Sequence, residues 1–211
     1  MSQAINISVF PALPTGDGKN FNVMDTAPLL YLLSNITRLS ESFQETLVQN
    51  LSHEKYKPRQ ILHAAGQLEN RVYYIQSGFA RNYYFDHHGN EHTVRFWEAG
   101  DILFSYEGYH KVPSYFYTVV VEHSELITIS YNLLHDLTLK FPEISIIIRE
   151  MLLKFHQEEY EKQRMIALPA EERYQILLKK KPGLFQKLPN GVIASYLHMT
   201  RETLTKFIGK R

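Results

Sequence analysis

Cysteine is absent from all 211 residues. That excludes disulfides, thiolate zinc sites, iron–sulfur clusters on thiolates and cysteine nucleophiles. Long apolar runs are missing as well: no stretch approaches ~18 uninterrupted apolar residues, and the N-terminus lacks the cationic-then-apolar build of a secretory leader. The sequence therefore predicts no membrane partner and a cytoplasmic location. What is present is globular in kind. At 44% hydrophobic and 21% charged residues, the chain can bury a core of one large or two modest domains.

Net charge is also scarce, at +1, but it is unevenly placed. Residues 161–211 carry 11 Lys/Arg against 4 Asp/Glu, net +7, which leaves 12 against 18, net −6, for residues 1–160. A basic tail behind an acidic body is the footprint of a polyanion partner, and equally of a solvated basic surface.

Residues 1–26 form an N-terminal arm, with Pro11, Pro14, Gly16 and Gly18 breaking any periodicity and Met24 offering an alternative start. From Ala27 to Leu51, apolar residues keep helical spacing with a break near Ser40. The period then falls to two between Lys55 and Tyr131, where short Val/Ile/Tyr/Phe runs are separated by Gly66, Gly78, Gly89 and Gly100. Such strands imply a sandwich or roll. Asn132 to Lys140 looks helical. Pro142 opens a long helix whose stripe at 148, 152, 155, 159, 162 and 166 steps by four and three like a coiled-coil seam, interrupted by Glu159 and Lys162. We expect it to pair with a second copy, with Met151 and Phe155 at the contact; the alternative is a helix packed on its own roll. After Pro169 come a helix to about Lys180, a break at Pro182 and Gly183, and two short helices at about 190–197 and 200–210.

The last two helices have the spacing of a helix-turn-helix. Ala194 is small where they would cross, and Ile193, Leu197, Met199, Leu204, Phe207 and Ile208 would set their angle. Thr200 is a suitable N-cap. The second helix then offers Arg201, Glu202, Thr205 and Lys206, with Lys210 and Arg211 at its end, to base edges and phosphates.

Thr200-Arg-Glu-Thr-Leu-Thr-Lys206 resembles the recognition helix of the Crp/Fnr family of bacterial transcription regulators. Tyr74-Ile-Gln-Ser-Gly-Phe-Ala-Arg81 and Phe96-Trp-Glu-Ala-Gly-Asp-Ile102 are similar to glycine-turned strands of that family's cyclic-nucleotide-binding-like roll, and Pro169-Ala-Glu-Glu-Arg-Tyr174 to the opening of its DNA-binding domain. The resemblance covers about residues 27–211. It implies an α+β fold: a double-stranded β-helix or jelly-roll sensor over 27–140, a dimerisation helix over 141–168 and a helix-turn-helix domain over 169–211. It further implies a homodimer on a palindromic double-stranded DNA operator, RNA polymerase as a further partner, and no catalysis.

Two departures from the family pattern stand out. His198 stands where the turn usually has glycine, at a cost of roughly 1 kcal/mol for a left-handed residue. Phe104-Ser105 and about Ser114 stand where cyclic-nucleotide binders carry a Gly-Glu pair and a phosphate-pairing arginine, so cyclic AMP is not expected to bind. An unidentified small-molecule effector stays open, with Arg81, Arg95, Phe104, Ser105 and Ser114 as its candidate contacts. No cofactor is expected.

Residues 73–117 hold 14 of the 27 aromatics, to line an effector pocket or, the favoured reading, to fill the core. His87, His88 and His92 surround a hairpin turn at Asp86-His-His-Gly-Asn-Glu91. With Glu98 they raise a second reading, a cupin-like metal-dependent enzyme, against which their spacing departs from His-x-His. A haem sensor would need one histidine that stands out, and none does.

Overall fold

The computed structural model describes residues 25–209, so the arm over 1–24 and the terminal Lys210 and Arg211 lie outside it. Helices α1 (Ala27–Ser34) and α2 (Glu41–Gln49) come first, and Ser40 caps α2 by accepting from the Phe43 amide. Eight strands follow: β1 (Ser52–Tyr56), β2 (Ile61–His63), β3 (Arg71–Ser77), β4 (Phe79–Phe85), β5 (Glu91–Glu98), β6 (Ile102–Leu103), β7 (Tyr117–Val120) and β8 (Ser124–Ser130). A one-turn helix, α3 (Tyr106–Tyr109), lies between β6 and β7. The chain ends in α4 (Tyr131–Thr138), the long α5 (Pro142–Ile166), α6 (Ala170–Lys180), α7 (Leu184–Lys187), α8 (Asn190–Tyr196) and α9 (Arg201–Ile208).

The strands form two antiparallel four-stranded sheets, in the orders β1-β8-β3-β6 and β2-β7-β4-β5. Both faces of β3 are covered, which is why its apolar residues run almost without interruption. Tyr73 and Ile75 meet Ala80, Trp97, Leu103 and Leu126 between the sheets, while Val72 and Tyr74 join α1, α2, α4 and α5 on the outer face. A third cluster joins Phe79 and Phe96 of the second sheet to α6, α7, α8 and α9. The tight β3–β4 turn depends on Gly78, at φ +100°, because a Cβ there would lie 2.0 Å from the Ser124 hydroxyl. That hydroxyl accepts from the next amide, Phe79, at 3.2 Å.

The stripe along α5 needs correction. Ile144, Ile147 and Ile148 are buried against the chain's own α1, α2 and α4, and the Phe155 ring stands edge-on to Trp97 at 5.5 Å. Lys162 reaches back to the Val94 carbonyl at 2.7 Å. Met151 also packs on the cluster beneath α1. Seven-residue steps keep one face inward here, but the surface they meet belongs to the same chain. At about 100° per residue, positions two apart point to nearly opposite sides. Leu153 and Tyr160, 48% and 58% exposed, therefore occupy the outward face with His156.

Candidate nucleic-acid interface

Helices α8 and α9 are held at a fixed angle by their buried face. Ile193, Leu197 and Leu204 are fully buried and Ala194 almost so. Between them the chain turns through His198, which adopts φ +51°, the left-handed conformation that glycine takes most readily. The strain of that conformation is offset locally. Its carbonyl accepts from Arg173 of α6 at 3.3 Å, and the next amide, Met199, donates to the Ala194 carbonyl at 3.0 Å. Thr200 caps α9 by accepting from the Thr203 amide at 3.2 Å.

With Leu204 and its neighbours turned inward, Arg201, Glu202, Thr205 and Lys206 are all exposed. Among the described residues neither Arg201 nor Lys206 makes an ion pair within 4.0 Å, so both cations are available to an external anion. The Glu202 carboxyl is held below its ordinary value by the backbone N–H in the first turn and by the Thr200 hydroxyl, so it is an ionised acceptor at neutral pH. Thr205 donates its hydroxyl proton to the Arg201 carbonyl at 2.8 Å and keeps its lone pairs outward. One short helix thus presents donors, acceptors and positive charge together, the set that base edges and phosphates require. Lys210 and Arg211 fall outside the described residues.

The basic tail is partly spent inside the molecule. Lys181 pairs with Glu98 and Lys187 with Glu122, at 2.7 and 2.8 Å, which ties it to the acidic body. Helix α8 also sits directly on β5: the Ser195 hydroxyl accepts from the Thr93 amide at 2.8 Å and donates to the Glu91 carbonyl at 2.9 Å, and Tyr196 meets Phe96 at 4.7 Å between ring centres. The charge asymmetry read from the sequence therefore has an intramolecular part.

The effector candidates are dispersed. Arg81 is committed to Glu91 at 2.6 Å and Thr93 at 3.0 Å, with its guanidinium over Tyr83. The expectation that Phe104 contacts an effector does not hold: its ring is buried among Tyr109, Tyr131 and Phe155. Ser105 caps α3, and Ser114 is buried with its hydroxyl on the Phe116 carbonyl. Arg95 alone borders a large cavity. The histidines serve the hairpin. Asp86 accepts from the His88 and Asn90 amides and from His92, and among the described residues no three His, Asp or Glu side chains gather as a metal site.

A buried polar pair escaped the sequence altogether. His63 and Glu69 approach to 3.4 Å inside the β-body, and the Glu69 carboxylate accepts from the Asn70 and Arg71 amides and the Tyr73 hydroxyl. No local motif marks either residue, because the fold brings them together from opposite ends of the β2–β3 connection.

Comparison with known proteins adds ancestry to this geometry. Residues 53–140 match the cyclic nucleotide-binding domain family. The anaerobic regulatory protein of Haemophilus influenzae is 25% identical over 176 residues, covering 74% of this chain and 66% of that protein. This chain thus spans just under two thirds of that relative's length. Among solved structures, FixK2 from Bradyrhizobium japonicum superposes with a TM-score of 0.68 at 14% identity, over 76% of this chain and 83% of the other. A Crp/Fnr-family transcriptional regulator from Eubacterium rectale gives 0.67 at 16% identity, over 82% and 83%. At those identities the likeness speaks for the fold, with its antiparallel β-body and long helix.

Proposed function

We propose that the chain is a regulator of the Crp/Fnr type, a sequence-specific DNA-binding transcriptional regulator, on the support of its cyclic nucleotide-binding domain match and its regulatory relatives. Residues 27–140 are its jelly-roll sensor, 141–168 its dimerisation helix and 169–211 its helix-turn-helix domain. The observation that carries this reading is α9: Leu204 anchors it, and Arg201, Glu202, Thr205 and Lys206 stand exposed on its other side. Arg201, at the helix N-terminus, can fork onto guanine O6 and N7, and Glu202 beside it can accept from cytosine N4. Lys206 falls with them where family members contact bases, while Lys210 and Arg211, later in the sequence, supply phosphate contacts that fix register without reading sequence.

In a two-fold dimer each protomer places α9 in a major groove, so the preferred site is an inverted repeat with half-site centres about one helical turn, ~10 bp, apart. Selection from random DNA should return such a palindrome. Arg201→Ala should cost ~1–3 kcal/mol on that site and relax discrimination at one base pair per half-site, whereas Arg211→Ala should weaken all sequences similarly and lower the salt slope by about one unit. An Arg201→Ala loss that is equal on every sequence would make α9 an electrostatic anchor only.

Cyclic AMP is not its effector. With Phe104 sealed in the core and Ser105 and Ser114 engaged with neighbouring backbone, these positions supply neither a carboxylate for the ribose nor a guanidinium for the phosphate. Calorimetric titration should show no saturable heat at micromolar nucleotide. Saturation in that range would mean that another basic residue has taken the arginine's place.

A further inference from the structure

A cavity of about 690 Å³ opens where β5, α5, α6 and α8 meet, within the range of roughly 300–1,000 Å³ usual for small-molecule sites. Its walls mix aromatic rings with charge. Most of the positive charge there is paired: Lys180 with Glu161 and Lys181 with Glu98 just outside the wall, both at 2.7 Å, and Lys154 with Asp101 and Glu158 at 3.9 and 3.7 Å. Arg164 also borders the cavity without a carboxylate within 4.0 Å among the described residues, but it is exposed and lies over the Tyr160 ring; of the more enclosed cations, two remain poorly matched. Arg95 reaches Glu158 only at 3.8 Å and shares that carboxylate with Lys154; its guanidinium lies 4.7 Å from the Phe155 ring centre and 5.3 Å from that of Trp97. Lys162 has no carboxylate within 4.0 Å among the described residues. Its ammonium donates to the Val94 carbonyl and lies 4.5 Å from the Tyr196 ring centre.

Burial of an ammonium without a counter-ion is unfavourable. Consistent with that, burial pushes Lys162 down to about 8, with the nearby Arg95 charge acting in the same direction and Glu159 opposing it. An anion entering the cavity would supply what both cations lack, and the surrounding Trp97, Phe155 and Tyr196 would take a planar apolar group beside it.

We propose that this cavity is an effector site for a small organic anion that carries an aromatic or other apolar group, with Arg95 and Lys162 holding the anion. Its position gives the site a means of control. An occupant touches the β-body through Arg95, the long helix through Phe155 and Lys162, and the helix pair that carries α9 through Tyr196. Changing its occupancy therefore changes how α8 sits on β5.

The test uses 8-anilinonaphthalene-1-sulfonate, an aromatic sulfonate that fluoresces when shielded from water, on the full chain without DNA. Saturation with one equivalent per protomer is expected, with binding weakened tenfold or more in Lys162→Met and in Arg95→Met. Lys162→Arg and Arg95→Lys, which keep the charge, should stay within threefold of the parent and guard against loss of the fold. Lys180→Met, which removes a paired cation at the rim, should also change binding less than threefold. No saturable binding, several equivalents per protomer, or unchanged binding in both charge-removing variants would overturn the site. Because no DNA is present, that failure is separate from any failure of the α9 assignment.

Discussion

Replacing Leu153 and Tyr160 together by Asp is expected to give a folded monomer whose affinity for two-fold operator DNA falls on the order of 100-fold or more, because a monomer loses the second, intramolecular half-site contact. Both side chains stand outward on α5, one above the other at a spacing of seven, and neither belongs to a buried cluster of its own chain. In the proposed dimer an aspartate there would meet a second apolar helix, and in a monomer only water. The inward pair behaves differently. Phe155 packs on Trp97 and Phe104, and Met151 on the cluster beneath α1, so Met151→Asp with Phe155→Asp would leave carboxylates among apolar groups. Truncating one such aromatic costs about 3–5 kcal/mol and an added buried charge costs more, so this pair should yield unfolded or insoluble protein. Sedimentation and circular dichroism separate the cases. A Leu153/Tyr160 variant that still sediments as a dimer would place the two-fold contact elsewhere.

The second large effect is a gain in stability at alkaline pH from Glu69→Gln. Glu69 is 5% exposed, and burial pushes its carboxyl up from 4.5 to about 7, against the amides of Arg71 and Asn70 and the Tyr73 hydroxyl, which pull it down. Its folded value lies above the unfolded one, so the folded protein binds the proton more tightly. The stability linked to that proton is fully present below about 4.5 and lost as pH rises through about 7. At pH 8 the buried charge costs roughly 3 kcal/mol on that basis. A glutamine keeps an oxygen for the same donors and carries no charge. Glu69→Gln should therefore unfold several degrees above the parent at pH 8, at roughly 2–4 °C per kcal/mol, and within about a degree of it at pH 4. Burial lowers His63, which removes stability below its ordinary 6.5, so the comparison is made between variant and parent at each pH, where that contribution largely cancels. An equal difference at both values would show that the carboxylate is not charged inside the fold.

The element boundaries that depend on local chemistry were legible in the chain. Thr200 caps α9 as its hydroxyl suggested, Ser40 caps α2 at the break that the spacing marked, Pro142 opens α5, and glycines 66, 78, 89 and 100 all take positive φ at the turns between strands. The exposed face of α9 was legible for the same reason: its donors and apolar residues alternate within two turns of one helix. Periodicity also showed α5 to be two-faced, but an apolar stripe looks alike whether a sheet of its own chain or a second copy covers it. Only the packing of Phe155 on Trp97 decided between them. The one-turn helices α3 and α7 are too short to leave a period.

The sequence marked Arg81 and Arg95 as strand arginines able to hold an anion and the family resemblance marked Phe104, Ser105 and Ser114, and the fold scattered them because all but Arg95 found a nearer neighbour. Arg81 met Glu91, Phe104 met Tyr131, and the two serines met backbone groups. The opposite happened at the two places that matter beyond α9. Lys162 and Arg95 are 67 positions apart, so no window along the chain could show them together; His63 and Glu69 are six positions apart, but nothing in that segment marks either side chain as buried. Short-range order follows from backbone propensity, capping and turn chemistry, which act over a few residues. A desolvated charge arises only when distant segments exclude water together, and that is a property of the tertiary structure.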